Sequence, residues 1–492
     1  MRTFVLLTAL TILGCTSPPK RPAESAAAPA SASTPAAASA PAPIAQAKPI
    51  TPTTPAPGAP ATDGVPDVEL SSALLYQLLA AETAAQQGDL GTAYAIFLKL
   101  ARETRDPRLA RRATELALQG RALPQGLDGA ELWRQLAPDS TEATQTLALL
   151  YATAGRFDDA FTLYEAQLKA SPSAAIEFAR IERQLSRTPN RAGAFGLLER
   201  LAQPYLGQAD VRIALANGAA AAGLGTRAAE EALAAVKLAP DSERAVLTAA
   251  QYLQATDRPA ALALMEGYVA RANVSSDARL AYARLLIADR KFDQARAQFE
   301  LLQKADPDNA DLVYTLALLS MQGNLRTEAR SYLQRYLVLI ADDDDRAPEQ
   351  AYLYLAQVAE DEKQYTQALQ WLRKIEGGDE FVTARVREAG VLQKMQRFDE
   401  ARKLLRTVNP QSADERVQLV LAEAQLLRES RRYEDASKLL SQALEKSPDN
   451  IALLYDSAMV AEKLDRIDAM EKGLRRIIEL KPDYAHAYNA LG

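Results

Sequence analysis

The chain of 492 residues holds one cysteine, Cys15, and one histidine, His486. The side chains that most often serve as nucleophile, general base or transition-metal ligand are therefore scarce. His486 comes four residues after Pro482, at the start of a helical stretch. To act as a base it would need a nucleophile and an orienting partner, and no such set can be named. A single thiol leaves no intrachain disulfide to form, and no Cys/His cluster has the spacing of a zinc or iron site. The run Asp342, Asp343, Asp344, Asp345 could draw calcium, but it lacks the glycine and distal glutamate of a calcium loop. It reads as a solvated loop. Ala216 to Gly225 (ANGAAAAGLG) has the glycines of a phosphate loop without its Lys-Ser/Thr, and reads as close-packing helix. These residues predict a protein that is not an enzyme and carries no metal or other cofactor.

The elements that hold these residues are set by one period. Small residues recur at Ala160, Ala194, Ala228, Ala261, Ala295 and Ala329, then at Ala368, Ala401 and Ala436, followed by Met470. The spacing is 33 to 35 residues, except for 39 between Ala329 and Ala368. A period near 34 marks stacked helix pairs. In the unit around Ala295, Tyr282, Ala283 and Leu286 form one apolar stripe, and Ala295, Phe299 and Leu302 form the next. Phe292 fills the turn between them, and Pro307 ends the unit because it cannot donate the next helical hydrogen bond. The units around Ala160 (Ala148, Tyr151, Phe157, Tyr164, Pro172) and Ala436 (Ala424, Leu427, Tyr433, Leu440, Pro448) repeat the pattern. An earlier unit is anchored on Ala93. The stretch from Asp106 to Pro138 is hard to register, because Gly120, Pro124, Gly126 and Gly129 break the pattern.

These positions resemble the tetratricopeptide repeat, with small residues at positions 8 and 20, aromatic residues or Leu at 11 and 24, and Pro at 32. The usual Trp at position 4 is mostly missing. The resemblance implies an all-α, right-handed superhelical solenoid of about twelve helix pairs. The expected division is residues 1–14 as a signal peptide, 15–66 as a lipidated cysteine and Ala/Pro tether, 67–484 as the solenoid and 485–492 as the opening of a further repeat. In that last stretch Tyr488, Leu491 and Gly492 fall at positions 4, 7 and 8, so a first helix is expected to continue past the sequence given.

The leader explains the lone thiol. Arg2 precedes an apolar run from Phe4 to Leu13, too short to span a bilayer as a mature helix. Ile12-Leu13-Gly14-Cys15 resembles a bacterial lipobox, in which cleavage after Gly14 exposes Cys15 for lipidation. Three acyl chains would hold the protein firmly, at about 0.8 kcal/mol per buried methylene. Thr16, where an aspartate would resemble an inner-membrane retention signal, favours the outer membrane and its periplasmic face. From Pro18 to Pro66 the chain carries 13 of its 26 prolines among Ala, Ser and Thr. That composition predicts an extended spacer with a reach on the order of 150 Å. The net charge of −6, with signs interspersed, does not fit a nucleic-acid binder.

Binding is expected on the first helices, whose positions 2, 5, 9 and 12 line a groove in this repeat class. In the Ala329 unit these include Tyr314, Leu318 and Met321, in the next unit Leu353, and in the last unit Tyr455 and Met459. Exposed Tyr, Met and Leu suit a partner helix or extended peptide, whereas a small shift of register would place them in the core. The Lys/Asn clamp that some tetratricopeptide proteins use for a terminal carboxylate is not apparent.

Leu75 to Leu118, with Thr104-Arg105-Asp106-Pro107 as its most specific part, and Lys481 to Gly492 are similar to the large tetratricopeptide outer-membrane lipoproteins of Gram-negative bacteria, the LbcA-type adaptors. The resemblance implies periplasmic or envelope protein partners: a carboxyl-terminal processing protease, whose assembly the adaptor promotes, and that protease's substrates. The alternative reading is an assembly factor, pilotin-like or part of outer-membrane or polysaccharide-export machinery.

Overall fold

A computed structural model describes residues 68–491 together with Pro66. The Gly14/Cys15 lipobox and most of the tether lie outside these residues. Among the described residues there are 25 α-helices, one short 3-10 turn at Gln203–Tyr205 and no strand. The first 24 helices form twelve consecutive pairs, so the all-helical repeat architecture is as expected. The described residues divide into two compact units that part between Arg271 and Ala272.

In the first unit the pairs are α1 (Ser72–Gln86) with α2 (Leu90–Thr104), α3 (Pro107–Gln119) with α4 (Leu123–Leu136), and α5 (Thr141–Thr153) with α6 (Phe157–Ala170). They continue as α7 (Ala174–Leu185) with α8 (Arg191–Ala202), α9 (Ala209–Ala221) with α10 (Gly225–Leu238), and α11 (Glu243–Thr256) with α12 (Arg258–Val269). In the second unit they are α13 (Ser276–Ala288) with α14 (Phe292–Ala305), α15 (Ala310–Gln322) with α16 (Arg326–Leu339), and α17 (Glu349–Asp361) with α18 (Tyr365–Arg373). These are followed by α19 (Phe381–Lys394) with α20 (Phe398–Thr407), α21 (Ala413–Glu429) with α22 (Tyr433–Lys446), α23 (Ile451–Lys463) with α24 (Ile467–Leu480), and a final helix α25 (Ala485–Leu491).

Local chemistry explains where the pairs begin and turn. Many first helices start on a Ser or Asn whose side chain accepts from a backbone N–H of the first turn, as Ser140 does from Ala143 and Asn450 from Leu453. Such a cap satisfies a donor that the helix cannot. In most pairs the first helix stops on a residue of positive φ, five positions before the anchor: Gly88, Gly155, Gly223, Arg290, Asn324, Lys363, Gln396, Arg431 and Asp465. At Arg290 the closing bonds are Lys291 N–H to Leu286 O (2.9 Å) and Arg290 N–H to Ile287 O (3.0 Å). This is the Schellman arrangement, which satisfies the last carbonyls. The anchors Ala93, Ala160, Ala228, Ala261, Ala295, Ala329, Ala368, Ala401 and Ala436 are all fully buried where the two helices cross.

The stretch from Asp106 to Pro138 corrects one expectation. Its residues do not break the repeat but form the ordinary pair α3–α4. Arg121 has the positive φ, so the anchor five residues on is Gly126, buried in α4. It lies 33 residues after Ala93 and 34 before Ala160. Pro124 sits in the first turn of α4, where its missing N–H costs nothing. Gly129 lets α4 approach α3 so closely that an added Cβ would fall 2.7 Å from Thr114 Oγ1.

The 39-residue gap has the expected cause. Residues 340–348 join α16 to α17, and Asp342 to Asp345 are all exposed within them. Asp343 pairs with Arg346 at 3.1 Å and accepts the N–H of Asp345.

Candidate functional site

The first helices place the expected groove residues unequally. Tyr314 and Met321 on α15 are half-buried, as are Tyr455 and Met459 on α23. Leu318 is only 1% exposed and Leu353 5%. These two are core residues, and their assignment to an open groove is corrected. The reason lies in their helices. On α15 every residue from Thr315 to Ser320 is buried. Leu353 on α17 packs in a cluster with Ala356, Ala384, Val391 and Leu392 of its own and the following pair. A helix that is apolar all round is buried all round, a signal already present in LVYTLALLS (residues 312–320).

Tyr314 belongs to a tyrosine cluster that joins three helices. Its ring centroid lies 4.7 Å from that of Tyr336 on α16 and 6.5 Å from that of Tyr354 on α17. Tilted rings at this range attract beyond simple burial. Burial pushes the Tyr314 phenol well above its ordinary range, with the neighbouring phenols Tyr354 and Tyr336 adding to the effect. It stays neutral and unreactive at any physiological pH. Arg346, paired with Asp311 at 2.6 Å, closes the cluster on the Tyr336 side.

The second candidate group surrounds α23. Tyr455 meets Tyr484 edge-on at 6.0 Å and His486 at 6.3 Å, and Tyr484 and His486 are 5.6 Å apart. Met459 and Tyr455 pack against Ala458, Leu474, Ile477 and Ala487. The single histidine is thus an exposed edge of an aromatic cluster. Among the described residues no group of three His, Cys, Asp or Glu side chains converges as metal ligands.

The stretch Thr104-Arg105-Asp106-Pro107 is a structural joint. Arg105 ends α2 at φ 56°, Asp106 accepts the Arg108 N–H at 2.9 Å, and Pro107 opens α3. Burial raises the Asp106 pKa, but the Arg108 side chain and backbone N–H outweigh it and hold the carboxyl below its usual range.

Some charged residues escaped the sequence reading. Glu388 is buried between Arg373 and Arg385, both at 2.6 Å. Glu423 is held by Arg402 and Arg406, both at 2.8 Å, and Glu231 by Arg212 at 2.6 Å and Arg227 at 2.7 Å. Each carboxylate between two guanidiniums ties adjacent helices together. A buried charge tolerates its loss of water only when paired in this way. Beside the first of these groups is a cavity of about 610 Å³ lined by Gly377, Gly378, Phe381, Arg385, Leu404 and Asn409. Arg385 is already engaged there by Glu388 and by the Leu372 and Ile375 carbonyls.

Tetratricopeptide-repeat family models match residues 280–346 and 427–492. The TPR repeat-containing protein PA4667 of Pseudomonas aeruginosa is 30% identical over 448 residues, covering 85% of this chain and 70% of that protein. Yeast Tom70 is similar at 14% identity over 85% of this chain and 94% of that one, with a TM-score of 0.31. Cut9-Hcn1 of the APC/C hetero-tetramer is similar at 12% identity over 86% and 96%, with a TM-score of 0.29.

Proposed function

Because this chain belongs to the tetratricopeptide-repeat proteins, whose fold serves as a scaffold for binding other proteins, we propose that it is a periplasmic adaptor tethered to the outer membrane through lipid on Cys15. The observation that carries the reading is how the fold spends its residues. Twelve helix pairs bury one stripe against the neighbouring pairs and leave Met321, Tyr455 and Met459 half-buried on first helices. Flexible thioether and amphipathic phenol side chains suit contact with another protein. The lipobox, the proline-rich spacer and the kinship with a Gram-negative relative support the address. The partner is a carboxyl-terminal processing protease, with the scaffold assembling it and presenting its substrates.

The test is crosslinking in intact cells, followed by affinity capture from envelope extract with the native chain and a Cys15→Ala variant. Recovery of a processing protease with the native chain, and release of the variant into the soluble periplasm, are the expected results. Recovery of pilus-assembly or export components without the protease would replace the adaptor role with that of an assembly factor. Cys15→Ala that still sediments with membranes would remove the lipid anchor.

A further inference from the structure

Helix α1 leaves an apolar face in solvent. Leu75, Tyr76 and Leu79 share that face at helical spacing, and Val68 and Leu70 lead into it. All five are exposed, Tyr76 by 74% and Leu79 by 60%. Inner first helices do not expose this place. Tyr76 stands 17 residues before its anchor Ala93, where later units hold Ala143, Val211, Ala351 and Ala384, each fully buried. Ala143 clusters with Trp133 of the preceding pair, so within the array a neighbouring pair does the covering. Among the described residues no pair precedes α1. A repeat array ordinarily caps such an end with polar residues. Here a tyrosine replaces the alanine or valine of the inner helices, and leucines flank it. The end is built as a face to be covered.

We propose that α1 packs against α1 of a second copy of this chain, antiparallel across a two-fold axis. The five side chains leave about 600 Å² in solvent, the top of the range for a patch on a monomer. Two copies would bury about 1,200 Å² between them, the lower end of what a specific interface needs. The face also complements itself. Exposed Ser72, Ala73 and Thr83 leave hollows beside the large side chains, and the ridge of a like helix fits them. Charge decides against a membrane. A helix that lies on an anionic bilayer is rich in Lys and Arg, and α1 contains neither. Its one acid, Glu82, is already paired with Arg112 at 3.0 Å, and Glu69 next to it adds a negative charge. In an antiparallel pair the two Glu69 side chains lie at opposite ends and do not repel. The chain's own tether is a poor occupant, since from Thr16 to Pro66 it offers only Ile44, Ile50 and Val65 as branched aliphatic side chains. The face shares no residue with α15 or α23, so the inference stands whatever partner those bind.

The test uses the full chain carrying Cys15→Ala, which leaves it without a cysteine, in sedimentation equilibrium over about 0.1–100 µM. The weight-average mass is expected to rise from one chain to two, with its midpoint in the micromolar range. Tyr76→Glu with Leu79→Glu, both at exposed positions, should weaken association about thirtyfold or more with unchanged circular dichroism and melting temperature. A single new cysteine in the same background locates the contact. Tyr76→Cys or Leu79→Cys should give a covalent dimer with a short bis-maleimide, and Ile176→Cys, at an exposed position on α7, should not. A chain that stays monomeric throughout, a double variant that dimerises like the parent, or cross-linking no better at α1 than at Ile176 would each overturn the proposal. So would a monomer that binds vesicles of phosphatidylethanolamine and phosphatidylglycerol through Tyr76 and Leu79, which would assign the face to the membrane.

Discussion

Replacing Gly129 by alanine should destabilise the first unit even though alanine is the better helix former. Gly129 lies within α4, so the exchange alone would contribute about 1 kcal/mol of helix propensity. The new Cβ would stand 2.7 Å from Thr114 Oγ1, 3.2 Å from Thr114 N and 3.3 Å from Thr114 Cα. Two of these atoms are backbone of α3 and cannot rotate away. The hydroxyl is buried and donates to Ala110 O at 2.8 Å, so displacing it gives up a bond worth about 1 kcal/mol. Overpacking of this kind costs about 1–3 kcal/mol; the lost bond and the propensity gain roughly cancel, which leaves a net loss of about 1–3 kcal/mol. Gly196 in α8 is the internal control, since nothing lies within 4 Å of its added Cβ. Gly196→Ala should therefore gain about 0.5–1 kcal/mol. Urea unfolding at constant m-value reads both. Thermal melts should separate the variants by several degrees, at about 2–4 °C per kcal/mol for a unit of this size. Removing the Thr114 hydroxyl as Thr114→Ala should recover part of the loss in a double-mutant cycle. Gly129→Ala as stable as Gly196→Ala would refute the close α3–α4 approach and, with it, the register that puts Gly126 at the anchor.

Ala295→Arg places a long charge where Ala295 is fully buried, and should cost about 3–5 kcal/mol by overpacking and unpaired charge; a melt within about a degree of the parent would disprove the register. Leu353→Ala should cost about 2–4 kcal/mol in calorimetry, as core truncations do, while Tyr455→Ala with Met459→Ala, which removes only half-buried packing on Leu474 and Ala487, should lower the melting temperature less and weaken partner capture. Glu182 is buried and accepts from Ser186 Oγ at 2.7 Å. Burial raises its pKa above the ordinary 4.5, against the smaller pull of Ser186 and Arg183. The native carboxyl then holds its proton more tightly than the unfolded chain does, so its contribution to stability falls as pH rises from the unfolded value through the folded one. Glu182→Gln should accordingly melt above the parent at about pH 7 and lose that advantage at about pH 4; an advantage that grows on acidification would refute the sign.

The repeat period and the helix pairs were legible in the sequence because each depends on residues near one another in the chain. A small residue about every 34 positions and the longer gap around Asp342 both state their consequence locally. Gly126 was misread for the same reason. Locally a glycine weakens a helix, and only the approach of α4 to α3 shows that smallness was the property required. Tyr314, Met321, Tyr455 and Met459 could be placed on first helices from spacing alone. Whether they met solvent could not, and Leu318 and Leu353 were lost to the core because neighbouring helices cover them. The groove lined by Arg180, Arg183 and Arg187 was invisible for a further reason. Arginines three and four residues apart on one helix usually form a solvated face, and here α5 brings Leu149 and Thr153 beside them. Exposure and the walls of a groove are properties of surfaces brought together from distant parts of the chain, so the tertiary packing alone decided them.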